Sequence, residues 1–352
     1  MITAIKVQDL RGVRSGALSA LAPLSVLVGR NGAGKSAVLE ALAIGASDQP
    51  AELLGRVVQS RGGWCGAGYL VRMGAEAAQL RVTLSSGVQR TTRLTYAPHA
   101  AALEPAEVPP GTPGNARLSS VSLLTEVVTA GQADPAAPAA PWRGVGRVLF
   151  ADDNAYGASA QPPTPGERLR LVHPAATRGH PLWRTLGEAV RTGRDQAAVE
   201  LLRPVVGADL RDLYFMPEGD DARVGNVHLR YPWGSVPVDV AGDGVRALVR
   251  IALELAARPD EVVLIEEPEV HLHPGAIWAA ARAALEAQRR GVQVILSTHS
   301  LELIDALVDQ AGDALDAVAV TRLALQAGEL RAHTIPGPEL RLLRGALAEE
   351  LR

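Results

Sequence analysis

Residues 24–44 read LSVLVGRNGAGKSAVLEALAI, an apolar run followed by a glycine-rich segment and then by residues with helical periodicity. This order predicts a strand, a loop and a helix. The loop matches the pattern G-x-x-x-x-G-K-[ST], for which the composition of the chain gives about 0.002 chance matches. Glycines let backbone N–H groups curl around phosphate oxygens at the start of a helix. The stretch therefore predicts a nucleotide-phosphate site in a fold of the α/β class.

The residues of this loop are the candidate ATP-binding residues. Its lysine is expected to reach the β- and γ-phosphates and to act in catalysis, and its serine hydroxyl is expected to ligate Mg²⁺. Only Lys6 and Lys35 are lysines, whereas thirty-three residues are arginines, so a lysine at this position indicates a specific requirement. The candidate residues in the loop are Gly29, Arg30, Asn31, Gly32, Ala33, Gly34, Lys35 and Ser36.

A second cluster is the segment VVLIEEPE at 262–269, an apolar run that ends in carboxylates. Beside a phosphate loop, a strand of this kind supplies the acidic residue on the magnesium side, so Glu266 is expected to hold Mg²⁺ through water. Glu267 follows directly and is a candidate general base for an attacking water. Buried parallel strands also end in acidic turns without any catalytic role. The upstream phosphate loop is what favours the catalytic interpretation.

A third candidate is the segment THS at 298–300, which follows the apolar run VQVILS. Ligands of open α/β folds bind at the carboxyl edge of the sheet, where this segment is expected to lie. His299 could there donate a hydrogen bond to the γ-phosphate and act in catalysis. A structural histidine is the alternative.

A fourth candidate is the segment VAGDG at 240–244, which precedes a helix with one apolar stripe. Glycines at the start of a helix can form an anion site. The alternative is an ordinary helix start capped by an aspartate. We call the candidate residues of this anion site the signature residues; they are Ala241, Gly242, Asp243 and Gly244.

The composition of the 352-residue chain is that of a globular protein, with 47% hydrophobic residues and a net charge of −3. Such a charge carries no overall signature of nucleic-acid binding. The longest uncharged run, 15–29, is too short to span a bilayer, so no membrane association is expected. A single cysteine and an N-terminus without signal-peptide features favour a cytoplasmic location.

Three regions are predicted along the chain. Residues 1–96 form an N-terminal lobe with the phosphate loop and antiparallel strands. Residues 97–204 form a loop and helical insertion, because eight prolines fall between 97 and 141, although LSSVSLLTEVV could be ordered. Residues 205–352 form a C-terminal lobe with the signature, the carboxylate strand, the histidine and a closing hairpin.

Charge is segregated in the middle of the chain. Residues 168–194 contain six arginines and one acid, whereas 195–221 contain seven acids and two arginines. Helices that pair their own charges explain this pattern, and a surface for a polyanion or an acidic partner is the alternative.

The phosphate loop, the GDG segment, the EEPE strand and the THS segment, in this order, resemble the ABC-type ATPases of the overcoming-lysogenization-defect (OLD) group. The similarity is greatest to its stand-alone ATPases of the AAA_15 and AAA_21 type, which are related to bacterial anti-phage and abortive-infection proteins. It covers residues 1–96 and 205–335. It implies an ABC-type P-loop head with an antiparallel β subdomain and a helical and loop insertion.

The resemblance also implies partners. Two heads of this group sandwich ATP, so a homodimer is expected in which the signature of one subunit acts on the site of the other. Arg11 resembles an arginine that such ATPases place near the α-phosphate. Only 53 residues follow His299, so the Toprim nuclease domain of OLD nucleases is not expected there. The expected role is an ATP-driven switch for a separate effector protein or for DNA, with phage defence among the implied settings.

Other families share parts of this pattern. RecF-like DNA-repair ATPases have a similar loop, but they prefer paired aspartates where this chain has EEPEVHLHP. Transporter subunits carry a full LSGGQ-type signature, and chromosome-maintenance ATPases insert hundreds of coiled-coil residues between loop and signature. An ATP-gated interaction module with negligible turnover is a further alternative.

Overall fold

The computed structural model describes residues 1–61, 63–97, 118–129, 133–134, 137–138, 142–151, 154–158, 166–174, 181–217, 225–256, 261–341 and 343. They form a mixed α/β fold, which confirms the predicted class. The chain divides into two compact units. The first unit comprises Met1–Leu21, Arg30–Leu169 and Leu323–His333. The second unit comprises Ala22–Gly29, Arg170–Arg322 and Thr334–Arg352.

Helices and strands alternate along the described residues. The helices are α1 (Lys35–Ala46), α2 (Pro50–Ser60), α3 (Gly63–Gly68), α4 (Leu182–Arg191), α5 (Asp195–Val206), α6 (Asp243–Leu255), α7 (Pro274–Arg289) and α8 (Leu301–Ala311). The strands are β1 (Ile2–Leu10), β2 (Val13–Leu18), β3 (Leu24–Val28), β4 (Ala78–Leu84), β5 (Val88–Ala97), β6 (Leu118–Thr129), β7 (Ala133–Asp134), β8 (Ala137–Pro138), β9 (Trp142–Ala151), β10 (Asn154–Ala158), β11 (Leu169–Val172), β12 (Asp212–Pro217), β13 (Gly225–Tyr231), β14 (Gly234–Pro237), β15 (Val262–Glu266), β16 (Gln293–Ser297), β17 (Val318–Gln326) and β18 (Glu329–Pro336).

The first unit is built on an antiparallel sheet in the order β10, β9, β6, β5, β4, β1 and β2. Helix α1 contacts β1, β4 and β5, and nearly all of its residues are buried. At Gly45 a Cβ atom would lie only 2.9 Å from Val82 Cγ2, so the missing side chain allows the helix to approach the sheet closely. The sheet thereby supports the helix that follows the phosphate loop.

Part of the proline-rich stretch belongs to this sheet. The sequence favoured loop over most of 97–141, but β6 pairs with β5 and with β9 along its length. Val121, Leu123 and Val127 of β6 are buried at alternate positions, as a half-buried strand requires. The segment LSSVSLLTEVV, which the sequence allowed to be ordered, is therefore confirmed as ordered. The division of the chain into 1–96, 97–204 and 205–352 stays a prediction.

The second unit is built on parallel strands. Residues 318–322 of β17 pair with β3, β3 pairs with β16, and β16 pairs with β15, while β11 lies beyond β15. Every residue of β3 and β16 is buried, as is typical of parallel strands covered by helices. Glu266 lies opposite Ser297, and Ser297 lies opposite Leu27, so the carboxyl ends of three strands meet at one edge.

A separate antiparallel sheet in the order β12, β13 and β14 leads into helix α6. The predicted closing hairpin is present as β17 and β18, and residues 337–341 are helical. Among the described residues, no helix combines the length and the apolar character that crossing a membrane would require.

Arg90 holds the carboxyl end of α1. Its guanidinium on β5 is fully buried and donates to the carbonyl oxygens of Gly45 at 2.9 Å and Ser47 at 2.7 Å. Burial lowers the pKa of Arg90 to about 10. A cation is favourable at this end of a helix, where carbonyl groups lack partners within the helix.

We expect the Arg90→Met protein to be less stable by about 2–4 kcal/mol, because two buried carbonyl groups lose their donors. The midpoint of urea denaturation should fall with little change in its slope. Arg93→Met on the same strand is the matched control, because Arg93 is exposed. Equal midpoints for the two variants would contradict a capping role for Arg90.

Candidate functional site

The phosphate loop lies between β3 and α1, as predicted. Gly29, Gly32 and Gly34 have φ values of 147°, 78° and 93°, in the region that favours glycine. Gly34 is the residue that precedes α1, and its carbonyl oxygen accepts the first helical hydrogen bond from Val38 N at 2.9 Å. The glycines of the pattern are therefore required by the path of the backbone.

Lys35 is the first residue of α1 and is only 5% exposed. Its Nζ donates to the carbonyl oxygen of Arg30 at 3.3 Å, so the side chain folds back over the loop. The first turn of α1 contains no acidic residue. A cation at the positive end of a helix dipole is unfavourable by itself, and an anion there is favourable. The loop residues therefore fit the phosphate groups of a nucleotide.

Arg11 contacts helix α1. Its Nε donates to Glu40 Oε2, and Glu40 also accepts from Arg61 Nε at 2.8 Å. Glu40 is buried, so one carboxylate on α1 binds two arginines. Within the described residues, Arg11 Nη2 is buried and makes no hydrogen bond. The contact of Arg11 with an α-phosphate stays a prediction.

In the second unit, the structure brings Glu267 and His299 together. Glu267 Oε1 lies 3.1 Å from His299 Nε2, and each side chain is 36% exposed. Glu267 N donates to the carbonyl oxygen of Ser297 at 3.0 Å, which ties the end of β15 to the end of β16. Glu267 has a φ of 47°, an unfavourable value for a residue with a side chain. Such conformations are often found at functional sites.

Glu269 is a residue that the motif analysis left without a role. Its Oε1 accepts a hydrogen bond from the backbone N–H of His299 at 2.8 Å. On the other side, Thr298 N donates to the carbonyl oxygen of Leu27 at 3.0 Å. The backbone around His299 is therefore held from two sides. The spacing E-E-x-E gives no signal for this contact, because it depends on a loop thirty residues away.

His173 is a second residue that the sequence analysis missed. Its Nδ1 lies 2.7 Å from Oε2 of Glu266, the predicted magnesium ligand. The available signal was the segment LRLVHP, a short apolar strand that ends in a histidine. The arginines on both sides dominate the pattern of this segment and favour an explanation by charge alone.

Arg170, in the same arginine-rich stretch, is not a surface residue for a polyanion. It binds Glu188 at 2.6 Å, Glu254 at 3.3 Å and Glu261 at 3.1 Å, and its side chain is 23% exposed. Burial alone would lower the pKa of Arg170, but Glu254 and Glu261 outweigh it and raise the pKa. Pairing within the unit therefore accounts for this arginine, whereas Arg178 lies outside the described residues.

The signature residues lie at the start of α6. Gly242 precedes the helix with a φ of 95°, and Asp243 Oδ1 accepts from Arg246 Nη2 at 2.9 Å. A Cβ on Gly244 would lie 2.6 Å from the carbonyl oxygen of His271, so only glycine fits there. Ala241 is half-buried, and Gly242 and Asp243 are exposed. The predicted helix start is thus present on the surface of the second unit.

Comparison with known proteins gives two kinds of similarity. Residues 234–305 match the domain family described as "AAA domain, putative AbiEii toxin, Type IV TA system". The uncharacterized protein MJECL11 of Methanocaldococcus jannaschii is 34% identical over 71 residues, which are 20% of this chain and 62% of that protein. The chain thus spans about three fifths of the length of this curated relative.

Solved structures are similar over nearly the whole chain. The Smc head bound to the C-terminal winged-helix domain of ScpA has a TM-score of 0.53 at 14% identity, covering 95% of this chain and 98% of that one. The Smc head with an extended coiled coil, bound to the C-terminal domain of ScpA derived from Pyrococcus furiosus, has a TM-score of 0.51 at 11% identity and covers 99% of both chains. The chain therefore has the P-loop ATPase fold of ABC-type and SMC heads.

Proposed function

We propose that the chain binds Mg–ATP and hydrolyses it as a molecular switch. The observation that carries this proposal is the loop from Gly29 to Ser36, with left-handed glycines and a buried Lys35 at the start of α1. The P-loop ATPase fold and the matched AAA-type region at 234–305 support it.

The residues take separate roles in this proposal. The loop from Gly29 to Ser36 holds the phosphates, and Ser36 and Glu266 are assigned to Mg²⁺, Glu266 through water. Bound Mg²⁺ would neutralise charge on the phosphate oxygens. Among the described residues, no cluster of three or more acidic, histidine or cysteine side chains could hold a metal. In the proposed site, phosphate and water oxygens would supply the remaining ligands, as is usual for Mg²⁺.

Glu267 is the proposed general base, which accepts a proton from the attacking water. His299 Nε2 lies 3.1 Å from its carboxylate. When ATP is bound, His299 is the proposed donor to the γ-phosphate. Glu269 holds the backbone of His299 through a bond of 2.8 Å. Release of phosphate would remove the proposed γ-phosphate acceptor of His299, which would make this histidine the sensor of the switch.

The proposal includes an ATP-dependent homodimer. Gly242 and Asp243 are exposed, and Val240, two residues before Gly242, is 71% exposed. Burying such an apolar group would favour association of two heads. In the proposed dimer, Ala241, Gly242, Asp243 and Gly244 of one subunit complete the nucleotide site of the other.

A separate effector is the proposed target of the switch. The two similar Smc heads are each bound to a domain of ScpA, which supports a separate partner protein for this head. The toxin–antitoxin term in the description of the matched family supports a role in phage defence.

Complementation between two inactive variants tests this function. We expect Lys35→Ala to lose nucleotide binding, and Asp243→Arg to bind nucleotide without hydrolysing it. A mixture should release phosphate, because a mixed dimer contains one site with an intact loop and an intact signature from the other subunit. Phosphate release by each variant and by the mixture is the measurement.

The control is Asp313→Arg, which reverses an exposed charge elsewhere in the second unit and should leave hydrolysis unchanged. If the mixture is as inactive as the Lys35→Ala and Asp243→Arg proteins alone, the assignment of the signature to the partner's site is wrong. A wild-type protein that binds no nucleotide would sink the proposed function itself.

A further inference from the structure

We propose that His173 is a positioning residue for Glu266, which it holds in the orientation needed for the magnesium shell. This inference rests on the proposed function and adds to it a residue outside the four sequence motifs.

The contact itself is short and partly buried. His173 Nδ1 lies 2.7 Å from Glu266 Oε2, and the two side chains are 19% and 14% exposed. An ionised carboxylate only accepts hydrogen bonds, so Nδ1 carries the proton and donates it. The bond fixes one carboxylate oxygen and therefore the plane of the carboxylate. Within the described residues, His173 Nε2 is buried and makes no hydrogen bond, so the bond to Glu266 is the polar contact that orients the ring.

His173 directly follows strand β11, which sets the position of its backbone. Strand β11 lies beside β15, the strand that ends at Glu266. The buried Pro174 follows His173, and a proline disfavours helical conformations in the residue before it. The backbone that follows β11 therefore places the imidazole of His173 beside Glu266 and restricts its movement.

Arg170 anchors that strand. Three residues before His173, it binds carboxylates from three places: Glu188 on α4, Glu254 on α6 and Glu261 just before β15. Glu254 also accepts from Thr185 Oγ1 at 3.2 Å. The signature helix and the start of the carboxylate strand are thus tied to β11, and β11 carries the residue that orients Glu266.

A donor behind a metal-side carboxylate affects metal binding more than fold. Such outer partners fix the orientation of the groups that face the metal, and their loss typically costs about 10- to 100-fold in metal affinity or activity. A purely structural His173 would instead contribute to stability and would affect nucleotide binding with and without metal alike. The two roles are therefore separable by experiment.

Two substitutions of His173 that are similar in shape distinguish the positioning role from a purely structural role. His173→Asn keeps a donor nitrogen at the position of Nδ1, since both atoms are attached to Cγ, whereas His173→Leu removes it. We expect His173→Leu to raise the Mg²⁺ concentration for half-maximal hydrolysis by about 10- to 100-fold. His173→Asn should stay near the wild-type value. His333→Ala, which removes an exposed histidine on β18, is the control.

A binding measurement accompanies the kinetics. The affinity for a fluorescent ATP analogue should be the same in all proteins in EDTA, and the gain in affinity on adding Mg²⁺ should be smaller only for His173→Leu. If Leu and Asn behave alike, or if His173→Leu loses affinity equally in EDTA together with thermal stability, the positioning role is wrong. An active wild-type protein with an equally active Leu variant overturns this inference alone. A wild-type protein that does not bind the analogue overturns the proposed function and the inference with it.

Discussion

The Lys35→Arg protein is expected to lose most ATP hydrolysis while keeping its fold. The Lys35 ammonium is buried and lies 3.3 Å from the carbonyl oxygen of Arg30, within the curve of the loop. A guanidinium is wider and planar, so it cannot take this place between loop and phosphate. We expect a loss of about 2–4 kcal/mol in transition-state stabilisation, which is about 30- to 1000-fold in rate. Steady-state phosphate release measures it, with circular dichroism as the test of folding.

Lys6→Arg is the matched control for this substitution, because it changes the second of the two lysines in the chain. Lys6 is exposed on β1, away from the loop in sequence, and its replacement should leave turnover unchanged. Near-normal turnover of Lys35→Arg would overturn the assignment of the phosphate loop, on which the functional proposal depends.

Glu267→Gln should separate binding from hydrolysis. Glutamine matches the size of glutamate but cannot accept the proton of the attacking water, so turnover should fall by about 10²- to 10⁴-fold. ATP should still bind, because the loop from Gly29 to Ser36 is unchanged. The variant should therefore accumulate in the ATP-bound state, which light scattering in Mg–ATP should detect as a dimer.

Glu339→Gln, an exposed carboxylate near the end of the described chain, is the control and should hydrolyse ATP normally. A Glu267→Gln protein that stays monomeric at high concentration in Mg–ATP contradicts the dimer. Unchanged turnover of the Glu267→Gln protein contradicts the role of Glu267 as general base. The dimer is tested separately by light scattering.

The parts of the site that could be predicted are those encoded in consecutive residues. The glycine positions of the loop follow from local backbone geometry, since Gly29, Gly32 and Gly34 all have positive φ. Glu266 and Glu267 follow a short apolar strand, so their place at a sheet edge could be predicted from the pattern alone. The class of fold followed from the same alternation of strands and helices.

The contacts that could not be predicted join residues far apart in the chain. Arg170 reaches Glu261 across 91 positions, and the bond between His173 and Glu266 spans a similar distance. No periodicity links such residues, because the contact exists only after β11 is placed beside β15. The charge pattern of 168–194 was visible, but which arginine is buried depends on that placement.

Smc heads share the fold of this chain. The absence of a long coiled-coil insertion argued against chromosome-maintenance ATPases, yet the fold matches their heads over 95% of this chain. The fold similarity does not require a coiled coil, because the head is built around the loop and the carboxylate strand. A coiled coil emerges from such a head as an insertion. Fold similarity at 14% identity therefore establishes the fold of the head alone.

The close approach of Gly244 to the carbonyl oxygen of His271 has a consequence for how this sequence can drift over evolutionary time. The contact uses a backbone atom of residue 271, so exchanging the histidine does not remove it. Residue 271 also has a φ of 66°, which restricts acceptable replacements to glycine, asparagine, aspartate and similar residues. Position 244 accepts glycine only, because any Cβ atom there would clash with this carbonyl oxygen. Position 244 is therefore expected to stay glycine, whereas position 271 is expected to accept the few residue types that tolerate a positive φ.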